Sequence, residues 1–295
     1  VAGKRPHQQG QNIFPFFDLC LMVQRVKSGE RQGKDPQENI ERLTVLEGLR
    51  KYAANHVLLV GRPGSGKSTA LARLLLEEAH KVWSGENGQI PILIELRYSK
   101  SSVLSRIQAF IYKHNHNTYI DEETLKGLLL QGKFLLLFDG FNEMASEEAR
   151  HQVRMFRQDY PQTAMVFSTR DLSLGGDLRI EKKLEMQPLT ESQMRDFVRA
   201  YLPEQGENLW GQLQGRLREL GETPMFLLML CSVFGYNKVI PAHLGLVFRG
   251  FTQTYSGRIK QDVPVDESSR RWWDRLLQEL AVSYTHLTLP TTRHV

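Results

Sequence analysis

Cysteine is nearly absent: the 295-residue chain has two, Cys20 and Cys231, far apart in sequence. That excludes a disulfide-stapled scaffold; one remote disulfide stays open, and an intracellular chain with two buried thiols is the expectation. No stretch approaches the ~18 consecutive apolar residues of a membrane-spanning helix. A signal peptide is also missing; the chain begins at Val1 rather than Met, so an upstream start is expected and targeting is not read from this end. Charge of one sign is scarce as a block. Lys and Arg total 38 against 33 Asp and Glu, a net +5, and the two signs are mixed along the chain, which argues against a nucleic-acid-binding stripe. There is no Cys/His cluster at metal-ligand spacing, no Ser-His-Asp arrangement, no internal repeat and no low-complexity tract. What remains is ordinary globular composition, 41% hydrophobic and 24% charged, enough for one large domain or two small ones. A cytoplasmic protein is expected.

The first 34 residues are polar and irregular apart from Ile13–Val26, an apolar stretch that reads as the end of an upstream helix. Asp35-Pro36 is a capping acid followed by Pro at a first helical position, and Ile40, Leu43, Leu46 and Leu49 continue a helical spacing to Tyr52. Apolar strands then alternate with helices. The strands are His56–Val60, Ile90–Leu96, Lys133–Phe138 and Thr163–Ser168, with Lys183–Met186 as a short edge strand. The helices are Lys67–His80, Ser101–His114, Asp121–Leu130 and Ser146–Tyr160. Continuous apolar strands separated by helices predict a parallel sheet covered on both faces. After Pro188 only helices are expected. Thr190 with Gln193 forms a capping box, Thr223-Pro224 opens a strongly apolar helix, and Ala242–Tyr255 forms another. Residues 262–266 read as a linker, and 268–281 as the start of a further helix in which Trp272 and Trp273 pack. The segment 282–295 (VSYTHLTLPTTRHV) resembles the translation of a sequencing-library adaptor and is expected not to be native.

Gly61-Arg-Pro-Gly-Ser-Gly-Lys67-Ser68 fits the pattern G-x-x-x-x-G-K-[ST], directly after the strand HVLLV and opening a helix, which is the context a P-loop requires. Glycines let the loop turn its backbone N–H groups toward a phosphate, and the helix N-terminus adds its positive dipole end. Gly61, Arg62, Pro63, Gly64, Ser65, Gly66, Lys67, Ser68 and Thr69 are therefore the expected nucleotide-binding loop. Lys67 brings a charge for the β- and γ-phosphates of ATP or GTP, and Ser68 a hydroxyl for Mg²⁺. At average residue usage the pattern arises by chance in roughly one chain in a hundred of this length; the flanking strand and helix cut that further.

Leu135-Leu-Leu-Phe-Asp139-Gly-Phe-Asn-Glu143 reads as the Walker B partner. A buried strand ends in an acid at the carboxyl edge of the sheet, where ligands bind in open α/β folds. Asp139 suits Mg²⁺, and Glu143 suits polarising the attacking water. Phe167-Ser-Thr-Arg170 ends the next strand with a guanidinium that can bind phosphate oxygens bidentately, so Arg170 is a candidate γ-phosphate sensor with Ser168 or Thr169 contributing. Glu222-Thr-Pro224 reads on its own as Pro at a first helical position. His243 reads as a packing residue.

From Leu46 to about Gly257 these motifs resemble the NACHT family, within the STAND class of signal-transducing NTPases. The resemblance rests on VLLVGRPGSGKST, LLLFDGFNE, the strand ending STR, and LTESQMRDFVRAYL…TPMFLLML. Gly140 keeps the family's small residue and Glu143 its last acid, while Asn142 stands where another acid is usual, a form similar to the bacterial branch. Thr223-Pro224 matches the family's Gly-x-Pro motif, with Glu222 in place of Gly; the resemblance places Pro224 over the nucleotide base. The implied fold is a P-loop NTPase parallel sheet followed by an all-helical subdomain. The implied organisation is a leader over 1–36, the nucleotide-binding domain over 37–187, the helical subdomain over 188–260, and the start of a winged-helix-like domain over 261–281. The implied activity is a slow ATPase switch using ATP, ADP and Mg²⁺, in which exchange controls opening and homo-oligomerisation between an upstream effector and a downstream sensor domain. A second class shares these motifs: an AAA+-type motor that remodels protein or nucleic acid. Such a motor needs a sensor arginine on the helical subdomain, for which Arg216 and Arg218 are the candidates.

Overall fold

The computed structural model describes residues 20–26, 41–97, 101–116, 118–144, 146–170, 178–241 and 243–259. Seven strands form one sheet: β1 (Met22–Val26), β2 (Arg42–Thr44), β3 (Val57–Val60), β4 (Ile90–Glu95), β5 (Phe134–Asp139), β6 (Ala164–Thr169) and β7 (Lys182–Met186), in the spatial order β2-β1-β7-β3-β6-β5-β4. The five strands from β7 to β4 run parallel; β1 joins β7 and β2 antiparallel.

The order follows from composition. β3 is VLLV and β5 is FLLLFD, with every residue but the terminal acid buried. Strands apolar on both sides must be covered on both faces, and they are. Leu58, Val60, Ile92, Ile94, Leu136, Phe138, Met165 and Phe167 share one core with Val103, Ile107, Leu125, Leu129, Val153 and Phe156. The last six lie on α3 (Val103–His114), α4 (Glu122–Leu130) and α5 (Glu147–Asp159). Phe138 and Phe167 stack within it, ring centroids 4.6 Å apart. The alternate residues, among them Val57, Leu59, Leu135, Leu137 and Val166, are equally buried, and α1 (Val45–Tyr52) and α2 (Lys67–Trp83) pack against the sheet. Truncating a fully buried side chain such as Leu136 to Ala would cost about 2–5 kcal/mol.

Helix starts are encoded by side-chain caps. Ser102, Asp121, Ser146 and Thr190 each accept the backbone N–H three residues on, each worth about 1 kcal/mol. The capping box at Thr190 and Gln193 is present and opens α6 (Glu191–Tyr201). From there on every described element is a helix: α7 (Gly206–Gln212), α8 (Arg216–Gly221), α9 (Pro224–Asn237) and α10 (Leu244–Ile259). The chain divides into two compact units, Val1–Cys231 and Ser232–Val295; the site lies in the first.

The structure differs from the sequence reading at four places: Cys20, expected as a buried thiol, is exposed, and three elements change. Met22–Val26 is a strand, not a helix end, because its partner is β7, far away in sequence. Arg42–Thr44 is also a strand, and the helix begins only at Val45, where Thr44 and Glu47 form a second capping box. Finally, β7 is not an edge: β1 covers its outer side. The expected start at Asp35-Pro36, the linker at 262–266, the helix at 268–281 and the segment 282–295 fall outside the described residues.

Candidate functional site

A cavity of about 770 Å³ opens at the carboxyl ends of the parallel strands, within the size range of small-molecule sites. Its position follows from the sheet order. The P-loop leaves β3 and the acidic loop leaves β5, with β6 between them, so the tip of β6 lies between loop and acid. The phosphate side of the wall consists of Pro63, Gly64, Gly66, Lys67, Ser68, Thr69, Asp139, Glu143, Ser168 and Arg170. Gly61, Arg62 and Ser65, also expected in the loop, are not on that wall. The Gly61 N–H is tied to the Thr169 carbonyl at 3.3 Å, and Arg62 is exposed.

The loop needs its glycines. Gly64 has φ +76° and Gly66 φ +95°, in the left-handed region that costs other residues roughly 1–2 kcal/mol. A Cβ on Gly64 would also sit 2.8 Å from the Met225 Cβ. Lys67 donates from Nζ to the carbonyls of Gly61 (2.5 Å) and Arg62 (3.0 Å), which spans the loop with its ammonium. Burial pulls that ammonium below its ordinary pKa and the Arg170 charge adds to the effect, while Asp139 and Glu143 oppose it.

At the end of β5, Asp139 accepts a 2.5 Å hydrogen bond from Ser168 Oγ, and the same hydroxyl accepts the Gly140 N–H at 2.9 Å. Ser168 therefore fastens the acid to the neighbouring strand. Gly140, at φ +79°, starts a 3₁₀ turn over Phe141–Glu143, closed by the Glu143 N–H on the Gly140 carbonyl at 2.8 Å. Phe141 is fully buried beneath the turn, so Glu143 is aimed by an anchored loop. Asn142 accepts the Arg170 N–H through Oδ1 at 2.9 Å; its part is to tie this turn to the tip of β6. The Arg170 guanidinium donates to Glu143 Oε1 at 2.5 Å, and Arg97 Nε lies 3.6 Å from Glu143 Oε2.

Several wall residues were not singled out from the sequence: Glu95 at the end of β4 and Arg97 just beyond it, Phe197 and Tyr201 from α6, and Met225 and Leu228 beside the expected Pro224 on α9. Glu95 pairs in register with Asp139. Arg97 follows an apolar strand just as Arg170 does, and the same strand-tip logic would have found it. Phe197 and Tyr201 stack at 5.9 Å; an aromatic pair at i, i+4 on an amphipathic helix reads as core until the fold shows what it faces. Arg216 and Arg218 are not on the wall. Arg218 lies over the Trp210 ring at 4.6 Å and 3.3 Å from Glu191.

Among the described residues, no group of three His, Cys, Asp or Glu side chains gathers that could hold a metal. The Ser68 hydroxyl and the Asp139 carboxylate do share the cavity, and they are the oxygen donors magnesium takes alongside phosphate oxygens and water. This donor set fits Mg²⁺ arriving with a nucleotide rather than an ion held by protein alone.

A family model described as the NACHT domain matches residues 55–205. The chain belongs to the NACHT family. It is thus a P-loop NTPase, and the parallel sheet with its P-loop between β3 and α2 is that fold. Over 110 residues this NACHT chain is 32% identical to an uncharacterised WD repeat-containing protein of Nostoc sp., a match covering 34% of the chain and 7% of that relative. Solved structures similar to it include Drosophila ORC bound to DNA (TM-score 0.44, 13% identity, 80% of this chain and 65% of that one). A STAND protein with a tetratricopeptide repeat sensor from Pyrococcus horikoshii gives TM-score 0.44 at 11% identity, over 74% of this chain and 33% of that one. The Aeropyrum pernix ORC1 protein in complex with DNA gives TM-score 0.45 at 18% identity, over 73% and 66%. Among the described residues no helix is long and apolar enough to cross a membrane.

Proposed function

We propose that this NACHT protein is an ATP-binding, slowly hydrolysing switch in which exchange of ADP for ATP controls opening and homo-oligomerisation. The observation that carries the reading is the double lining of one cavity. The P-loop and strand tips form one wall, and α6 and α9 form the other. The Met225 N–H reaches the Gly64 carbonyl at 3.2 Å, so the start of α9 rests on the phosphate loop itself. A nucleotide in this cavity touches both parts, and a γ-phosphate can shift their balance only through contacts that differ between two states. Arg170, which lines the cavity with Lys67 and Glu143, is the candidate for such a contact. In this reading the nucleotide-binding domain takes in β1 (Met22–Val26) as well as residues 37–187, because β1 pairs with β7 in the same sheet, and residues 188–260 form the helical subdomain.

Each side chain has a task. The amides of Gly64, Gly66, Lys67, Ser68 and Thr69, which line the cavity, and the Lys67 ammonium hold the β- and γ-phosphates. Ser68 and Asp139 hold Mg²⁺, whose contribution when bound is to neutralise phosphate charge. Ser168 keeps the Asp139 carboxylate oriented. Glu143 accepts a proton from water aligned with the γ-phosphate. Pro224, Phe197, Tyr201 and Leu228 form the apolar end that takes the base. Among the described residues that end offers no carboxylate side chain to the N–H donors of guanine, which favours ATP over GTP. A motor of the AAA+ kind asks for an arginine from the helical part in the cavity, and Arg218 stacks on Trp210 instead. A cytoplasmic location and partnership with an effector and a sensor domain belong to the same proposal.

The test is ATP turnover with light scattering in ADP and in ATP with Mg²⁺. Slow turnover, with a larger mass in ATP, supports the switch. Rapid steady turnover at constant mass would favour the motor.

A further inference from the structure

Glu143 stands between two guanidiniums. Oε1 accepts from Arg170 at 2.5 Å, and Oε2 lies 3.6 Å from Arg97 Nε. These arginines end different strands on either side of β5: Arg170 follows β6 and Arg97 follows β4. The carboxylate is therefore bracketed from both neighbours of the strand that carries it. The motif reading gives Arg170 a second duty, at the γ-phosphate, and one guanidinium cannot serve Glu143 at 2.5 Å and a phosphate with the same donors. When Arg170 turns to the phosphate chain, Glu143 loses its closest partner. A glutamate has three side-chain torsions, and without a fixed partner its carboxylate spreads over several directions.

The backbone under Arg97 is well fixed. Leu96 is buried, 1% exposed, and its N–H donates to the Asp139 carbonyl at 2.9 Å. The tip of β4 is thus stitched to the residue that starts the acidic loop, and Arg97 moves with that loop. Glu143 is 24% exposed and Arg97 61%. A pair this open contributes little to stability, and the melting temperature of the Arg97 variants reports whether the fold stays in place.

Resting on the proposed hydrolytic role of Glu143, we propose that Arg97 is its positioning residue: it holds Oε2 and keeps the carboxylate aimed while Arg170 attends to the nucleotide. Arg97 acts through Glu143 and does not touch phosphate. ATP sensing and base alignment then use two different arginines, and the handover between them is what arms hydrolysis.

The test combines Arg97→Ala, Arg97→Lys, Glu143→Gln and the double variant Arg97→Ala/Glu143→Gln. The readouts are single-turnover hydrolysis, ATP and ADP affinity, and melting temperature. Arg97→Ala should slow hydrolysis about tenfold to a hundredfold, the range expected when a reacting group is misplaced by about 1 Å. Both affinities and the melting temperature should stay at wild-type values. Arg97→Lys keeps the charge and should recover most of the rate. In the Glu143→Gln background, Arg97→Ala should change the rate no further, because two residues acting as one unit are not additive. A wild-type rate for Arg97→Ala, with Glu143→Gln inactive, overturns this proposal alone. A loss of ATP affinity beyond that of ADP overturns it too, since Arg97 would then meet phosphate directly. A lowered melting temperature with both affinities reduced makes Arg97 a structural residue. If Glu143→Gln hydrolyses as fast as wild type, or wild type does not hydrolyse, the role of Glu143 fails and this inference falls with it.

Discussion

The two ends of the cavity are built on different principles. At the phosphate end, position is set by backbone and by charged hydrogen bonds. The loop is bent by glycines, Lys67 spans two carbonyls, Asp139 is fastened by Ser168, and Glu143 sits in a closed turn. At the other end Phe197, Tyr201, Pro224, Met225 and Leu228 offer apolar surface from two helices. The first end can tell two phosphates from three, because charge and donor geometry change when a phosphate is added. In the proposed reading the second end meets only the base, which ATP and ADP share. Selectivity for nucleotide state should therefore sit wholly at one end, and general affinity at both.

The largest effect tests the shared part of the phosphate end. Lys67→Ala should remove measurable binding of both ADP and ATP in calorimetry, since the ammonium meets the β-phosphate common to both. Loss of ATP binding alone would move Lys67 to the γ-phosphate and blur the division between the ends. Next comes Glu143→Gln, which should slow hydrolysis by about 10²–10⁴-fold while ATP still binds. Gln can hydrogen-bond a water but is a poor proton acceptor, so the transition state suffers more than the ground state. In the switch reading this variant accumulates with ATP and assembles more readily, which light scattering would record. Asp139→Asn should differ from it by weakening Mg²⁺-dependent binding itself.

Arg170→Ala sharpens the comparison further. A charged hydrogen bond is worth roughly 1.5–3 kcal/mol, so ATP affinity should fall about tenfold to a hundredfold while ADP affinity holds. Equal weakening of both nucleotides would remove the sensor assignment. The two arginines then separate by readout: Arg170 by ATP affinity, Arg97 by rate.

The phosphate end was legible in the sequence because its chemistry is local. Eight residues of the P-loop and nine of the acidic segment contain their own strand, turn and reacting groups, and the alternation of apolar strands with helices predicted the parallel sheet. What escaped depends on which strands are neighbours. Asn142 could be seen to replace an acid, but its bond to the Arg170 N–H needs β6 to lie beside β5. Arg97 matters only because β4 lies on the other side. Met22–Val26 became a strand through pairing with β7, a contact no local pattern encodes. Phe197 and Tyr201 carry the helical spacing of core residues, and only the placement of α6 shows that they face a cavity.

The smallest predicted effect probes the apolar end. Tyr201 lines the cavity, and its ring stacks on Phe197, 5.9 Å between centroids at 17°. If the base lies against this pair, Tyr201→Ala removes one aromatic surface, worth about 0.5–1.5 kcal/mol beyond area alone. That corresponds to a loss of roughly two- to tenfold in affinity. The loss should be the same for ADP and ATP, because the ring meets nothing that differs between them. Hydrolysis at saturating ATP should be unchanged, since a contact equal in ground and transition states alters binding and not the chemical step. Titrating both nucleotides and measuring one saturated rate is enough. A fall in ATP affinity alone would mean that the γ-phosphate reaches α6. The helical wall would then take part in state recognition, and the division of labour between the two ends would have to be redrawn.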